Sequence, residues 1–89
     1  MLAIMQIVDT EETVYTCPSG KKAFVYVDIA SNDGTPASIT IKVGTGESFY
    51  VYWIGSAEFV SAKLALTAGY GVRVAATGTV NVFVHGMEQ

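Results

Sequence analysis

The feature that most constrains this chain is the spacing of its turn residues. Pro18-Ser19-Gly20-Lys21, Ser31 to Pro36 (SNDGTP), Gly44-Thr45-Gly46-Glu47, Gly55-Ser56-Ala57, Ala68-Gly69-Tyr70-Gly71 and Thr77-Gly78 interrupt runs rich in Val, Ile, Tyr and Phe. Glycine supplies positive φ, and proline fixes φ while lacking an amide donor, so these clusters reverse the chain. No window carries convincing helical periodicity. Breaks recurring at about 8–12 residues are the punctuation of an all-β domain, so an antiparallel β-sandwich, jelly-roll-like, of about seven or eight short strands is expected. At 89 residues the chain supports one core. Residues 1–89 are read as a single domain, with 1–12 as an N-terminal strand or arm at a subunit interface.

Period-2 alternation assigns the faces. From Lys22 to Ala30, the residues Ala23, Val25, Val27 and Ile29 belong in the core, while Phe24, Tyr26, Asp28 and Ala30 point away from it. Ile39, Ile41 and Val43 point inward, as do Val72, Val74 and Ala76, and then Val80, Val82 and Val84; Asn81, Phe83 and His85 point outward. Two segments are apolar on both sides. In Leu2 to Val8, the residues Leu2, Ile4 and Val8 share one face and Ala3, Met5 and Ile7 the other. In Phe49 to Ile54, the set Phe49, Val51 and Trp53 opposes Tyr50, Tyr52 and Ile54. Such a strand is sandwiched between two layers or has one face covered by a neighbouring chain. Phe24 and Tyr26 are covered by the N-terminal strand or a long loop, or else form a subunit contact. Glu58 to Leu66 is less regular and admits a short helical turn. The Ser31–Pro36 and Thr77-Gly78 clusters read as hairpin connections, and Gly55-Ser56-Ala57 as a turn.

Hydrophobic residues make up 51% of the chain and charged residues 15%, against roughly 25% charged in an ordinary soluble domain. A small chain with so few charges leaves apolar surface for another molecule to cover, most simply copies of itself. Candidate contact residues are Phe24, Tyr26, Met5, Ile7, Tyr50, Tyr52 and Phe83. The net charge is −3, and the five Lys and Arg residues are dispersed, so counterion release on a polyanion would be feeble and nucleic acid is not an expected partner. The apolar start, MLAIMQIV, has no basic region before it and stops at Asp9, too short to span a bilayer. The reading is a soluble protein made in a cytoplasm, with no membrane partner.

No catalytic, metal or cofactor-binding residue is assigned. Asp9 to Glu12 (DTEE) is the densest acidic cluster and reads as a solvated loop, since a hard-cation site needs oxygens converging in space. Cys17 has no disulfide partner and reads as a small buried hydrophobe; a nucleophilic thiol would need a base, and the sole histidine, His85, lies at the far end of the chain. Asn32-Asp33-Gly34 lacks the later ligands of a calcium loop, and Gly44-x-Gly46 lacks the Lys-Ser/Thr pair of a phosphate loop. Trp53, Tyr50 and Tyr52 allow one alternative, a carbohydrate platform in an adhesin, although the nearest carboxylates are only Glu47 and Glu58.

Several short motifs resemble one another's counterparts in a known setting. Tyr15-Thr16, the Pro18-x-Gly20-Lys21 corner, the Val25 to Ala30 strand ending in Ser31-Asn32, the Leu66 to Gly69 turn before Val72-Arg73-Val74, and Gly78-Thr79-Val80-Asn81-Val82-x-Val84-x-Gly86 together resemble small bacteriophage virion β-sandwich proteins of the capsid-attached decoration or tail and fibre accessory type. The resemblance runs from about Thr13 to Glu88, with Tyr70 where that pattern has Asp and Cys17 where it has Val. It implies a self-associating virion part, often a trimer, assembled in the host cytoplasm and contacting other virion proteins such as a major capsid or tail protein. It brings over no catalytic residue.

Overall fold

The computed structural model describes residues 1–89. Its elements are β1 (Ala3–Val8), β2 (Glu11–Thr16), β3 (Lys22–Ser31), β4 (Ala37–Thr45), β5 (Ser48–Ala57), β6 (Phe59–Thr67), β7 (Gly71–Thr77) and β8 (Thr79–Glu88). No helix is long and apolar enough to cross a membrane. All pairings are antiparallel, in two four-stranded sheets of order β1-β8-β3-β6 and β2-β7-β4-β5. Only β4 and β5 are both consecutive and paired; every other connection carries the chain to the opposite sheet. That strand order over eight strands is a jelly roll.

The inner faces form as the alternation requires. Val25, Val27 and Ile29 of β3 and Val80, Val82 and Val84 of β8 meet Ile39 and Ile41 of β4 and Val72 and Val74 of β7, all fully buried. These are β-branched side chains with few rotamers to lose, which suits a pleated, packed surface. The core contains no buried charged or polar residue. The sheets approach most closely along β1, β2, β7 and β8.

Four expectations are corrected by the register. In β1, Ile7 lies opposite Val80 and Met5 opposite Val82; those valines face the core, so Ile7 is 1% exposed and Met5 packs against the core. Ile7 therefore cannot be a subunit contact, and the outward apolar residues of β1 are Ile4 and Val8, on either side of exposed Gln6. In β5, Trp53 pairs with Ile41 and Val51 with Lys42, so a bulge falls at Tyr52. The extra residue inverts the alternation beyond it: Trp53 faces inward, while Val51 lies across from outward Lys42. Third, Glu58 to Leu66 holds no helical turn. β6 is a regular strand whose buried set, Ala62, Leu64 and Leu66, was masked by the small Ala62. Fourth, Gly55-Ser56-Ala57 belongs to β5, and the Ser31–Pro36 and Thr77-Gly78 clusters are crossings between sheets, not hairpins.

Candidate functional site

The outer face of the β1-β8-β3-β6 sheet is assembled by the β3 ladders. Phe24 sits between Met87 and Ala65, Tyr26 between His85 and Lys63, Asp28 between Phe83 and Ser61, and Ala30 between Asn81 and Phe59. Ile4 adjoins Phe83 from β1. Phe24 is 49% exposed and Tyr26 41%, with Ile4, Phe59 and Met87 more exposed still and Phe83 half-buried. No part of this chain covers them, because β1 extends the sheet at its edge instead of crossing its face.

At the middle of this surface lies a polar group. Ser61 Oγ donates to Asp28 Oδ1 at 2.6 Å, and His85 Nε2 is 2.7 Å from Asp28 Oδ2. A carboxylate only accepts, so Nε2 carries the proton. The bond from Ser61, and then that from His85, hold the Asp28 carboxyl below the usual carboxylate range. Tyr26 stacks on His85 with centroids 5.3 Å apart, and Lys63 Nζ lies 5.8 Å over the Tyr26 ring. Ser, Asp and His are thus adjacent, but the carboxylate is in the centre and the serine donates to it. A nucleophilic serine needs the imidazole as its acceptor, so this arrangement holds side chains in place on the surface and does not activate a hydroxyl.

A second apolar surface lies on β5, one of the two edge strands of the other sheet. Tyr50 is 72% exposed and Tyr52 54%, beside exposed Val51 and Ile54. Trp53 does not join them. It is half-buried against the core, and its ring lies over Gly55 so closely that a Cβ there would meet it at 2.9 Å. The bulge puts Trp53, opposite Ile41, on the same side of the sheet as Tyr50, opposite Val43, so what keeps Trp53 out of the exposed tyrosine surface is its burial against the core.

The remaining candidates are dispersed. Cys17 is 1% exposed in the core, its thiol near the carbonyl oxygens of Lys21 at 3.4 Å and Leu66 at 3.9 Å, while His85 is on the outer face and engaged with Asp28. The acidic run Asp9 to Glu12 is split. Asp9, at φ 51°, accepts from the Gly78 amide at 2.7 Å and ties two inter-sheet corners together. Glu11 and Glu12 belong to β2, where Glu11 pairs with Lys42 at 2.8 Å and Arg73 at 3.7 Å. Arg73 in turn stacks over Phe49 at 4.2 Å. No three His, Cys, Asp or Glu side chains come together to hold a metal. A shallow groove of about 240 Å³ over Asp9, Ser38, Thr40 and Thr77 is open to solvent and brings no acid-base pair together.

Sequence reasoning missed Ile4, Val8, Phe59 and Met87 as exposed apolar residues, and it missed the Ser61–Asp28–His85 group. Ile4 and Val8 are visible only once β1 pairs with β8, and the others only once β3 is flanked by β6 and β8, since alternation within a strand says nothing about which strands adjoin.

No protein-family model matches the chain, and no curated protein does. Among solved structures, the chain is similar to two pentameric capsid proteins isolated from metagenomic phage sequences. One aligns with a TM-score of 0.58 at 13% identity and the other with 0.56 at 15%, each over 100% of this chain. The chain spans 65% and 64% of those two proteins' lengths. At such identity the likeness establishes the shared fold.

Proposed function

We propose that this chain is a non-enzymatic structural protein of a bacteriophage virion, a jelly-roll subunit that associates with copies of itself and is attached to the capsid. The observation that carries the proposal is the pairing of a phage-capsid-like jelly roll along the whole chain with two large apolar surfaces that the chain itself leaves open. A monomer rarely keeps contiguous apolar patches of that extent. Capsid placement, as a decoration or cement protein, is preferred over the tail because both similar structures are capsid proteins. For the same reason a ring of five replaces the trimer that the sequence resemblance implies. The virion is then its final location, after assembly in the host cytoplasm, and a major capsid protein its further partner.

The test is the native mass of the purified chain by analytical ultracentrifugation at micromolar concentration. A discrete species near five times the 9.4 kDa subunit mass is expected; one near three times would restore the trimer, and a clean monomer would overturn self-association. A second reading, a carbohydrate-binding adhesin module, draws on the exposed rings of Tyr50 and Tyr52. Binding to a glycan array that is lost in Tyr50→Ala, with assembly unchanged, would favour it.

A further inference from the structure

The two apolar surfaces are unlike each other in shape and charge, and this bears on how copies meet. One is a broad sheet face, Ile4, Phe24, Tyr26, Phe59 and Met87. The other is a narrow edge strand, Tyr50, Val51, Tyr52 and Ile54 of β5. Their charges also differ. Lys63 lies on the face and Lys22 at the end of its β3, and neither makes an ion pair within the chain, where the pairs are Lys42–Glu11, Arg73–Glu11 and His85–Asp28. β5 has no charged residue between Ser48 and Ala57, and Glu47 and Glu58, which bracket it, are likewise without a cationic partner.

Contacts between like surfaces are disfavoured by these charges. Two β5 edges pairing antiparallel bring Glu47 of one copy opposite Glu58 of the other, and like charges directly opposite destabilise a strand pair. Two sheet faces meeting about a twofold axis bring their unpaired lysines together. Face against edge sets lysines against glutamates and buries both apolar sets. At roughly 100 Å² of exposed surface per large side chain, the nine residues supply about 900 Å², and Phe83 with the polar rim brings a junction near the ~1,200 Å² at which specific contacts begin. A ring of more than two copies requires two different surfaces on each subunit.

Resting on the self-association proposed above, we infer that the junction is heterologous: β5 of one copy seats on the outer β8-β3-β6 face of the next. Each subunit then makes two junctions, one with each surface, and the Ser61–Asp28–His85 group lies within the seat beneath the neighbour's β5.

Phe59→Asp disables the face and Ile54→Asp the edge; both positions are exposed, so circular dichroism should show the native fold in each. Phe24→Asp and Tyr52→Asp serve as second variants for the same surfaces. Each variant alone is expected to sediment as a monomer, because every junction uses both surfaces. Mixed in equal amounts, a face variant and an edge variant still own one intact face and one intact edge, and they should form a one-to-one dimer and nothing larger. If the wild type assembles but mixing yields no dimer, or if either surface's variants still assemble fully, the heterologous junction is wrong while self-association stands. If the wild type itself is monomeric, self-association fails, and this junction with it.

Discussion

Gly86→Ala should be the most damaging single-methyl change on the face-bearing sheet, and its cost follows from geometry. Gly86 has φ +147° and lies opposite Val25 in the β3–β8 ladder. A Cβ there would sit 2.0 Å from the Phe24 carbonyl oxygen and 2.9 Å from Val25 Cα. Carbon and oxygen ordinarily approach to about 3.3 Å, and Phe24 is fixed between β8 and β6, so β8 must part from β3 at this point. Beyond it the chain would lose the Met87–Phe24 and Glu88–Ala23 pairings, the reciprocal Lys22–Gln89 backbone bonds of 2.9 and 2.8 Å, and the Tyr15–Glu88 hydrogen bond. Three or four hydrogen bonds at about 1 kcal/mol net each, with about 1–3 kcal/mol for the backbone conformation, give a loss of about 4–7 kcal/mol. A domain has only about 5–15 kcal/mol in all. The melting temperature should fall by roughly 15–55 °C at about 4–8 °C per kcal/mol, measured by circular dichroism at one fixed protein concentration. Gly34→Ala is the control, with φ +80° and nothing within 4 Å of the added methyl; it should cost about 1–2 kcal/mol. Equal losses in the two variants would show that close approach of β8 to β3 is not what Gly86 provides.

Further outcomes follow from particular residues. Ile7→Ala, in the core, should cost about 2–4 kcal/mol in urea unfolding, whereas Ile4→Ala on the same strand should leave the isolated fold within about 0.5 kcal/mol; the reverse order would restore the opposite face assignment for β1. Asp28 has a folded pKa below its ordinary 3.8, so it stabilises the fold above that pH and the contribution is lost as pH falls through the lower folded value. Asp28→Ala should accordingly flatten the acid limb of the stability curve, and an unaltered limb would count against the Ser61 and His85 bonds. Burial, and then the bond to Glu88, raise the Tyr15 pKa well above 10.0, so the protonated phenol stabilises the fold below pH 10 and that part is lost as pH rises further. Tyr15→Phe should remove this alkaline loss, seen as a stability profile that stays level where the wild type declines. Cys17 should react with a thiol reagent orders of magnitude more slowly in the native protein than in urea; equal rates would mean that the Pro18–Lys21 corner opens readily.

The sequence by itself determined the inner faces of β3, β4, β7 and β8. In each, apolar residues, mostly Val and Ile, recur at every second position, and a pleated strand has no other way to bury them together. The same alternation marked Phe24 and Tyr26 as outward. Where both faces are apolar, alternation carries no sign. β1 could have been turned either way until its pairing with β8 put Ile7 against Val80, and in β5 one bulge residue at Tyr52 parted Trp53 from Phe49 and Val51 and turned it inward. Tertiary structure also decided the connectivity. Gly78 and the Ser31–Pro36 cluster reverse the chain whether the next strand pairs in the same sheet or lies in the opposite one, because a turn residue sets local dihedral angles and not the destination of the chain. That destination placed Ser61 and His85, 33 and 57 residues along the chain from Asp28, on its two sides. It also laid Phe59 and Met87 beside the β3 aromatics, completing a surface of which the sequence had shown only the centre.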